Sequence, residues 1–262
     1  MPVQETKVKP TFKGSPLVDP TLVPSIGFLT DDFGEAVFAA YQEEVVKYHP
    51  KARESLDVLA YNRENKVITG SNSFAAVVLN NLPIIRDSGL HIATQADLGL
   101  MLKGDDTLRV ADNHYIDTGL VLRSEDDPNS YLARILAADI KERTKQDSQY
   151  PLLIHLKDVR VEPDEKSPYG LVFKLESDAK PVHALILNKT GYYGNQDIDA
   201  ETGLPKETAA KKTEEHNRQL YTTQRGLVRL GLDRDLVLGA YVGRLADSDS
   251  DGRVAVVGAP KK

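Results

Sequence analysis

The plainest pattern in the chain is a period-two alternation of apolar and polar positions between Tyr150 and Leu187. Leu152, Ile154 and Leu156 alternate with Leu153, His155 and Lys157, and Leu171, Phe173 and Leu175 alternate with Val172 and Lys174. The apolar run from Val182 to Leu187 completes the set. Successive side chains of a strand point to opposite faces, so this spacing predicts three successive strands, each with an apolar face. Pro163-Asp164, Ser167-Pro168, Gly170 and Asp178 supply the residue types that tight reversals use. Such a meander needs a second layer over its apolar face, which the flanking sequence must provide.

Helical spacing governs much of the first half. Phe38, Tyr41, Val45 and Tyr48 share one face of a predicted helix over 32–48, which Pro50 ends. Further helices are predicted over 74–81, 95–103 and 130–145, the last with Leu132, Ile135, Leu136 and Ile140 on its inner face. Short strands are expected over 55–60, 66–69, 90–93, 108–111 and 115–123. After the meander, a polar loop over 188–205 leads to a helix over 207–220 and then strands over 226–232, 236–245 and 253–257.

This order implies an α+β fold, with a mixed α/β N-terminal portion (25–148) packed on a β-rich C-terminal portion (149–262). Three strands, a helix and two or three more strands match the order of the OB barrel, so the second portion is expected to be barrel-like. Ahead of both, Pro2, Pro10, Pro16, Pro20 and Pro24 make residues 1–24 an extended arm, because proline fixes φ and biases its predecessor to extended geometry.

Composition narrows the function classes. A chain of 262 residues at 40% hydrophobic and 27% charged can build a real core and is not a disordered tract. Cysteine is absent, which removes disulfides, thiolate zinc sites and cysteine nucleophiles. No apolar run approaches a membrane span and the first ten residues lack a signal-peptide core, so a cytoplasmic location and no membrane partner are expected. Residues 1–150 carry 16 Lys+Arg against 22 Asp+Glu, whereas residues 151–262 carry 17 against 17. Net repulsion opposes indiscriminate binding to polyanions, but the neutral half has room for a local basic patch.

Several motifs are candidates for chemistry. Asp247-Ser248-Asp249-Ser250-Asp251-Gly252 repeats the first half of an EF-hand calcium loop, with Asp247, Asp249 and Asp251 as ligands, although Gly258 stands where the closing Glu belongs. Gly70-Ser71-Asn72-Ser73 before a helix is either an N-terminal cap or an anion cradle without a P-loop lysine. Asp199-Ala200-Glu201-Thr202-Gly203-Leu204 looks like the first acidic motif of proofreading exonucleases but sits in loop sequence. Asp112, His114 and Asp117 lie close in sequence, while the six histidines show no metal-ligand spacing. No serine has a nucleophile-elbow context, and no reaction class is supported.

Arginine is the last signal. From Arg218 to Arg253 every basic residue is arginine, the side chain suited to planar contact with phosphate or carboxylate. Alternation puts Val228, Leu230 and Leu232 on one face and Arg229 on the other, and likewise sets Tyr241 opposite Leu238 and Ala240. Arg225, Arg229, Tyr241 and Arg244 thus form a candidate arginine-plus-aromatic platform for single-stranded nucleic acid. The bland counterpart is pairing of these arginines with Asp233, Asp235 and the 247–251 aspartates. The sequence therefore points first to a non-enzymatic binding protein for single-stranded nucleic acid. The alternative is a structural or assembly protein, as in a viral particle, that homo-oligomerises through its arm.

Overall fold

The computed structural model describes residues 15–16, 25–103, 114–145, 149–233 and 237–258. Strand β1 (Ser15–Pro16) pairs antiparallel with β2 (Ser25–Phe28); the rest of the proline-rich arm lies outside the described residues, as does the strand predicted over 108–111. Helix α1 (Asp31–Val45) buries Phe33, Val37, Tyr41 and Val45, the i, i+4 stripe that an amphipathic helix turns to a core. Tyr41 also donates its hydroxyl to Leu56 O at 2.6 Å.

Pro50 ends the first helical region and opens α2 (Pro50–Leu56), since a missing N–H is harmless in a helix's first turn. The strand expected over 55–60 is corrected here. Ser55 and Leu56 belong to α2, and only β3 (Ala60–Asn62) pairs with β4 (Val67–Thr69). Helix α3 (Ser73–Asn81) is buried from Ser73 to Asn80 and forms the centre of the helical layer. It is followed by α4 (Pro83–Arg86), β5 (Leu90–Ile92), α5 (Gln95–Lys103), β6 (Tyr115–Leu122) and α6 (Ser130–Thr144).

The C-terminal half supplies β7 (Leu152–His155), β8 (Val159–Pro163), β9 (Leu171–Leu175), β10 (Val182–His183) and β11 (Gly191–Tyr193). After these come β12 (Arg218–Thr222), β13 (Leu227–Leu232), β14 (Leu238–Val242), β15 (Gly252–Arg253) and β16 (Ala255–Gly258). The main sheet runs β10-β7-β6-β13-β14-β12-β11, with β15 beside the start of β6. It is mixed, because β12 runs parallel to β14 and β15 parallel to β6. The sheet curls into a half-barrel beside the helices, so the fold is α+β with a barrel-like C-terminal portion. A second sheet, β1-β2-β16-β5, places the strand nearest the C-terminus between two early ones. Strands from both sides of residue 148 share each of these sheets.

Two expectations fail for physical reasons. The three-strand meander is not one sheet: a 3-10 turn at Leu156–Asp158 redirects the chain, so β7 joins the main sheet while β8 and β9 form a separate hairpin. That hairpin covers the helices, β9 packing on α6 and β8 on α3. The helix over 207–220 is also absent. Those residues run through bends and turns until β12 begins at Arg218, so the helix that suggested OB order is missing. The segment Glu207–Lys212 has too few apolar positions to bury a face, and helices draw most of their stability from such burial.

Alternation in the central strands feeds two cores, one on each face of the main sheet. Leu120, Leu122, Leu152, Ile154 and Leu227 pack with the helices. Val121, Leu153, Val228, Leu230 and Leu232 pack on the opposite side with Leu98, Leu220 and Leu238. Among the described residues, no helix is long and apolar enough to cross a membrane.

Candidate functional site

On the helical side of the main sheet, the covering layer stops short of one end of β13 and β14, leaving a cleft of about 260 Å³. Two glycines make its floor. Gly231 and Gly239 face each other across β13 and β14, and Gly231 also faces Asp117 on β6. Neither has positive φ, so their use is space. A Cβ on Gly231 would lie 2.8 Å from Ile116 O, and one on Gly239 would lie 3.1 Å from the Tyr241 ring. The register of β13 shifts just before Gly231 against one neighbour and between Arg229 and Gly231 against the other. Such bulges bend a strand and re-aim its side chains.

Arg229 and Tyr115 form one wall. The guanidinium carbon of Arg229 stands 5.1 Å from the Tyr115 ring centroid, and its Nε lies 3.7 Å from Asp117 Oδ1. Its Nη1 donates to Asp247 O at 3.2 Å. Burial lowers the Arg229 pKa, but Asp117 and then Tyr115 outweigh it and hold the group above its ordinary value. Asp117, with its side chain 1% exposed, accepts a hydrogen bond from the Ser71 hydroxyl at 2.8 Å. Tyr115 donates to Ser71 O at 2.9 Å and accepts from Asp249 N–H at 3.1 Å. Burial, with Asp117 adding to it, raises the Tyr115 pKa and keeps the phenol protonated.

The Gly70–Ser73 segment also settles into this network as a helix cap. Asn72 Oδ1 accepts from Ala75 N–H at 2.8 Å, while the 245–248 loop accepts the amides of Ser71, on Ser248 Oγ at 2.9 Å, and Ser73, on Leu245 O at 3.3 Å. The Ser71, Ser73 and Ala75 amides, which an anion at this helix start would need, are thus taken.

Tyr241 forms the opposite, open wall. It is 48% exposed and packs edge-on against Tyr221, itself 40% exposed, with ring centroids 6.0 Å apart. Asp233, Asp249 and Asp251 complete the acidic part of the lining.

The expected residues therefore separate. Arg229 and Tyr241 share the cleft with Asp249 and Asp251, but Arg225 and Arg244 are not part of its lining. Arg225 is exposed in the turn before β13. Arg244 reaches Asp247 at 3.4 Å with both side chains well exposed, a pairing that adds little stability. Asp112 lies outside the described residues, and His114 packs edge-on against Phe28 at 5.5 Å. The Asp199 carboxylate accepts from Glu201 N–H, Thr202 N–H and the Thr202 hydroxyl, so the exonuclease-like motif is a self-bonded turn.

The calcium expectation fits this geometry poorly. Among the described residues, no three His, Cys, Asp or Glu side chains gather as a metal would require. The Asp249 carboxylate accepts from Asp251 N–H at 2.9 Å, and the Asp247 carboxylate faces Arg244. Adding calcium to about 5 mM, above the weak range of such loops, is therefore expected to leave the melting temperature unchanged. A calcium-specific rise at constant ionic strength would restore the loop as a site.

Tyr115 and the glycine pair were not singled out by motif, and Ser71 was singled out only as part of the Gly70–Ser73 segment. Their signal was present in part: Gly231 and Gly239 occupy outward positions of their strands, and a strand glycine often marks a bulge or a close approach. Comparison with known proteins finds no matching family model, no matching curated protein and no matching solved structure.

Proposed function

We propose that this is a cytoplasmic, non-enzymatic binding protein whose ligand is a small molecule bearing a positively charged nitrogen, held in the Tyr115–Tyr241 cleft. The observation that carries this reading is the cleft's makeup. Its described lining brings four carboxylates, from Asp117, Asp233, Asp249 and Asp251, against the single guanidinium of Arg229. Arg229 is already engaged by Asp117, Tyr115 and Asp247 O. Carboxylates concentrate cations in a concave site, and tyrosine faces attract them further. The bare glycine floor leaves room for a flat or slender group.

Calorimetry with spermidine and agmatine at low salt tests this, with glucose as the neutral comparison. Binding of the cations is expected to weaken as salt rises. Tyr241→Ala should lower affinity by about two- to thirtyfold, since a tyrosine–cation contact contributes about 0.5–2 kcal/mol. Tyr241 is half exposed, so the fold should survive the change. No heat from either cation at low salt overturns the reading.

Single-stranded nucleic acid stands as the second reading, supported by the exposed Tyr221–Tyr241 pair with Arg225 and Arg244 nearby in sequence. The acidic lining weighs against it. In that case a labelled oligonucleotide would bind at low salt and Tyr241→Ala would remove about 1–3 kcal/mol of stacking.

A further inference from the structure

Arg123 follows β6 directly and lies away from the cleft, at the other end of that strand. The residue is 5% exposed. Its Nη2 donates to Leu187 O at 2.7 Å and to the Thr222 hydroxyl. Its Nε and Nη1 are buried and have no hydrogen-bond partner. No carboxylate among the described residues offsets its charge, in contrast to Arg229, which has Asp117. Burial brings the Arg123 pKa down to about 10, so the group stays charged at neutral pH. A buried cation without a counter-charge is among the costlier features a fold can carry, and buried charges are normally paired.

We propose that Arg123 is the base of a second binding site, one that takes the carboxylate group of a small monoanionic molecule. The guanidinium presents two edges, one formed by Nε with Nη2 and the other by Nη1 with Nη2, each suited to two-point contact with a carboxylate. Nη2 is shared by both edges and the other nitrogen of each is unpartnered. Whichever edge the Thr222 hydroxyl occupies, a carboxylate displacing it gains a second N–H that now bonds nothing.

The neutral hydroxyl stands where the anion's oxygen would sit. Thr222 is half-buried, and its own N–H donates to the hydroxyl of the exposed Thr190 at 3.3 Å, so displacing its hydroxyl needs only a side-chain rotation. Its hydroxyl also bonds Leu187 O, which keeps Arg123 Nη2 as a donor after the displacement. Charge sets the class. One guanidinium matches one negative charge, so a dianionic phosphate would leave excess charge buried.

Thermal unfolding of the full chain at about pH 8.5, where phosphate is dianionic and Arg123 still charged, in sodium acetate, sodium phosphate and sodium chloride at equal ionic strength tests the site. Acetate at tenfold its dissociation constant is expected to raise the melting temperature by about 3 °C over chloride. Arg123→Met should abolish that rise. Thr222→Val, which removes the competing hydroxyl with little change of shape, should bring the rise on at lower acetate. The proposal is overturned by equal melting in acetate and chloride, by an equal response to phosphate, or by a rise that persists in Arg123→Met. If Arg123→Met does not fold, an acetate response unchanged by Thr222→Val overturns it as well. None of these outcomes bears on the Tyr115–Tyr241 cleft.

Discussion

Replacing Asn72 by alanine is expected to destabilise the protein by about 3–7 kcal/mol, from loss of a cap and of two bonds to carbonyls, one buried and one part-buried. The residue is fully buried, and its side chain serves three elements at once. Its Oδ1 caps α3 through Ala75 N–H, and its Nδ2 donates to Ser55 O at 2.9 Å and Ala246 O at 2.8 Å. Losing the cap costs about 1 kcal/mol, and each carbonyl left without a donor costs about 1–3 kcal/mol. Ala246 leads into the Asp247–Asp251 segment, so the same change should loosen the cleft's acidic wall and weaken cation binding. Asn72→Ser keeps the cap oxygen but lacks the amide donors, and should fall between the two. Urea unfolding reads all three. A loss below about 1 kcal/mol in the alanine variant would mean that water or a backbone shift takes over both carbonyls.

Local patterns were legible wherever one strong signal acted alone. The strand over 226–232 follows from alternation, because β13 buries Val228, Leu230 and Leu232 and leaves Arg229 between them half-buried. The helix over 95–103 and the strand over 115–123 lie where α5 and β6 form. Arg229 and Tyr241 were placed on the open face by the same argument. What alternation does not encode is which strand meets which. The run from Leu152 to Leu175 reads as a continuous meander, yet the two halves leave in different directions at Leu156–Asp158, where a 3-10 turn is set by packing in the helical core.

The cleft was only half visible for a related reason. Ser71 and the β6 pair Tyr115 and Asp117 come from two segments far apart in sequence, and only the pairing of β6 with β13 carries Asp117 to Arg229. The arginine signal was real but its meaning differed by position. Arg229 is neutralised by a buried aspartate and Arg244 by an exposed one, a distinction that needs burial and not composition. Arg123, 95 residues before the arginine-only window begins, gave no signal at all until its missing counter-charge was seen.

Acidification should expose another buried group, His155. It is 8% exposed on β7, with Nδ1 lacking a hydrogen-bond partner. Burial, helped by Lys157 and opposed by Asp97, brings its pKa down from 6.5 to about 4. Between those values the unfolded chain binds a proton that the folded chain refuses, so stability rises with pH across the window. The contribution is whole above pH 6.5 and is lost as pH falls toward 4, a drop of about 3 kcal/mol for this one group. Asp97 acts in the same sense at lower pH: burial raises its pKa, but hydrogen bonds from His91 and Thr94 outweigh that and hold it low. The two effects separate by mutation. His155→Leu removes the titrating ring at similar volume and should flatten the stability profile between pH 6.5 and 4.5, leaving the fall at lower pH in place. Denaturant midpoints measured at half-unit steps would show this. A variant whose stability still declines as steeply as the wild type above pH 4.5 would assign the acid sensitivity to another group.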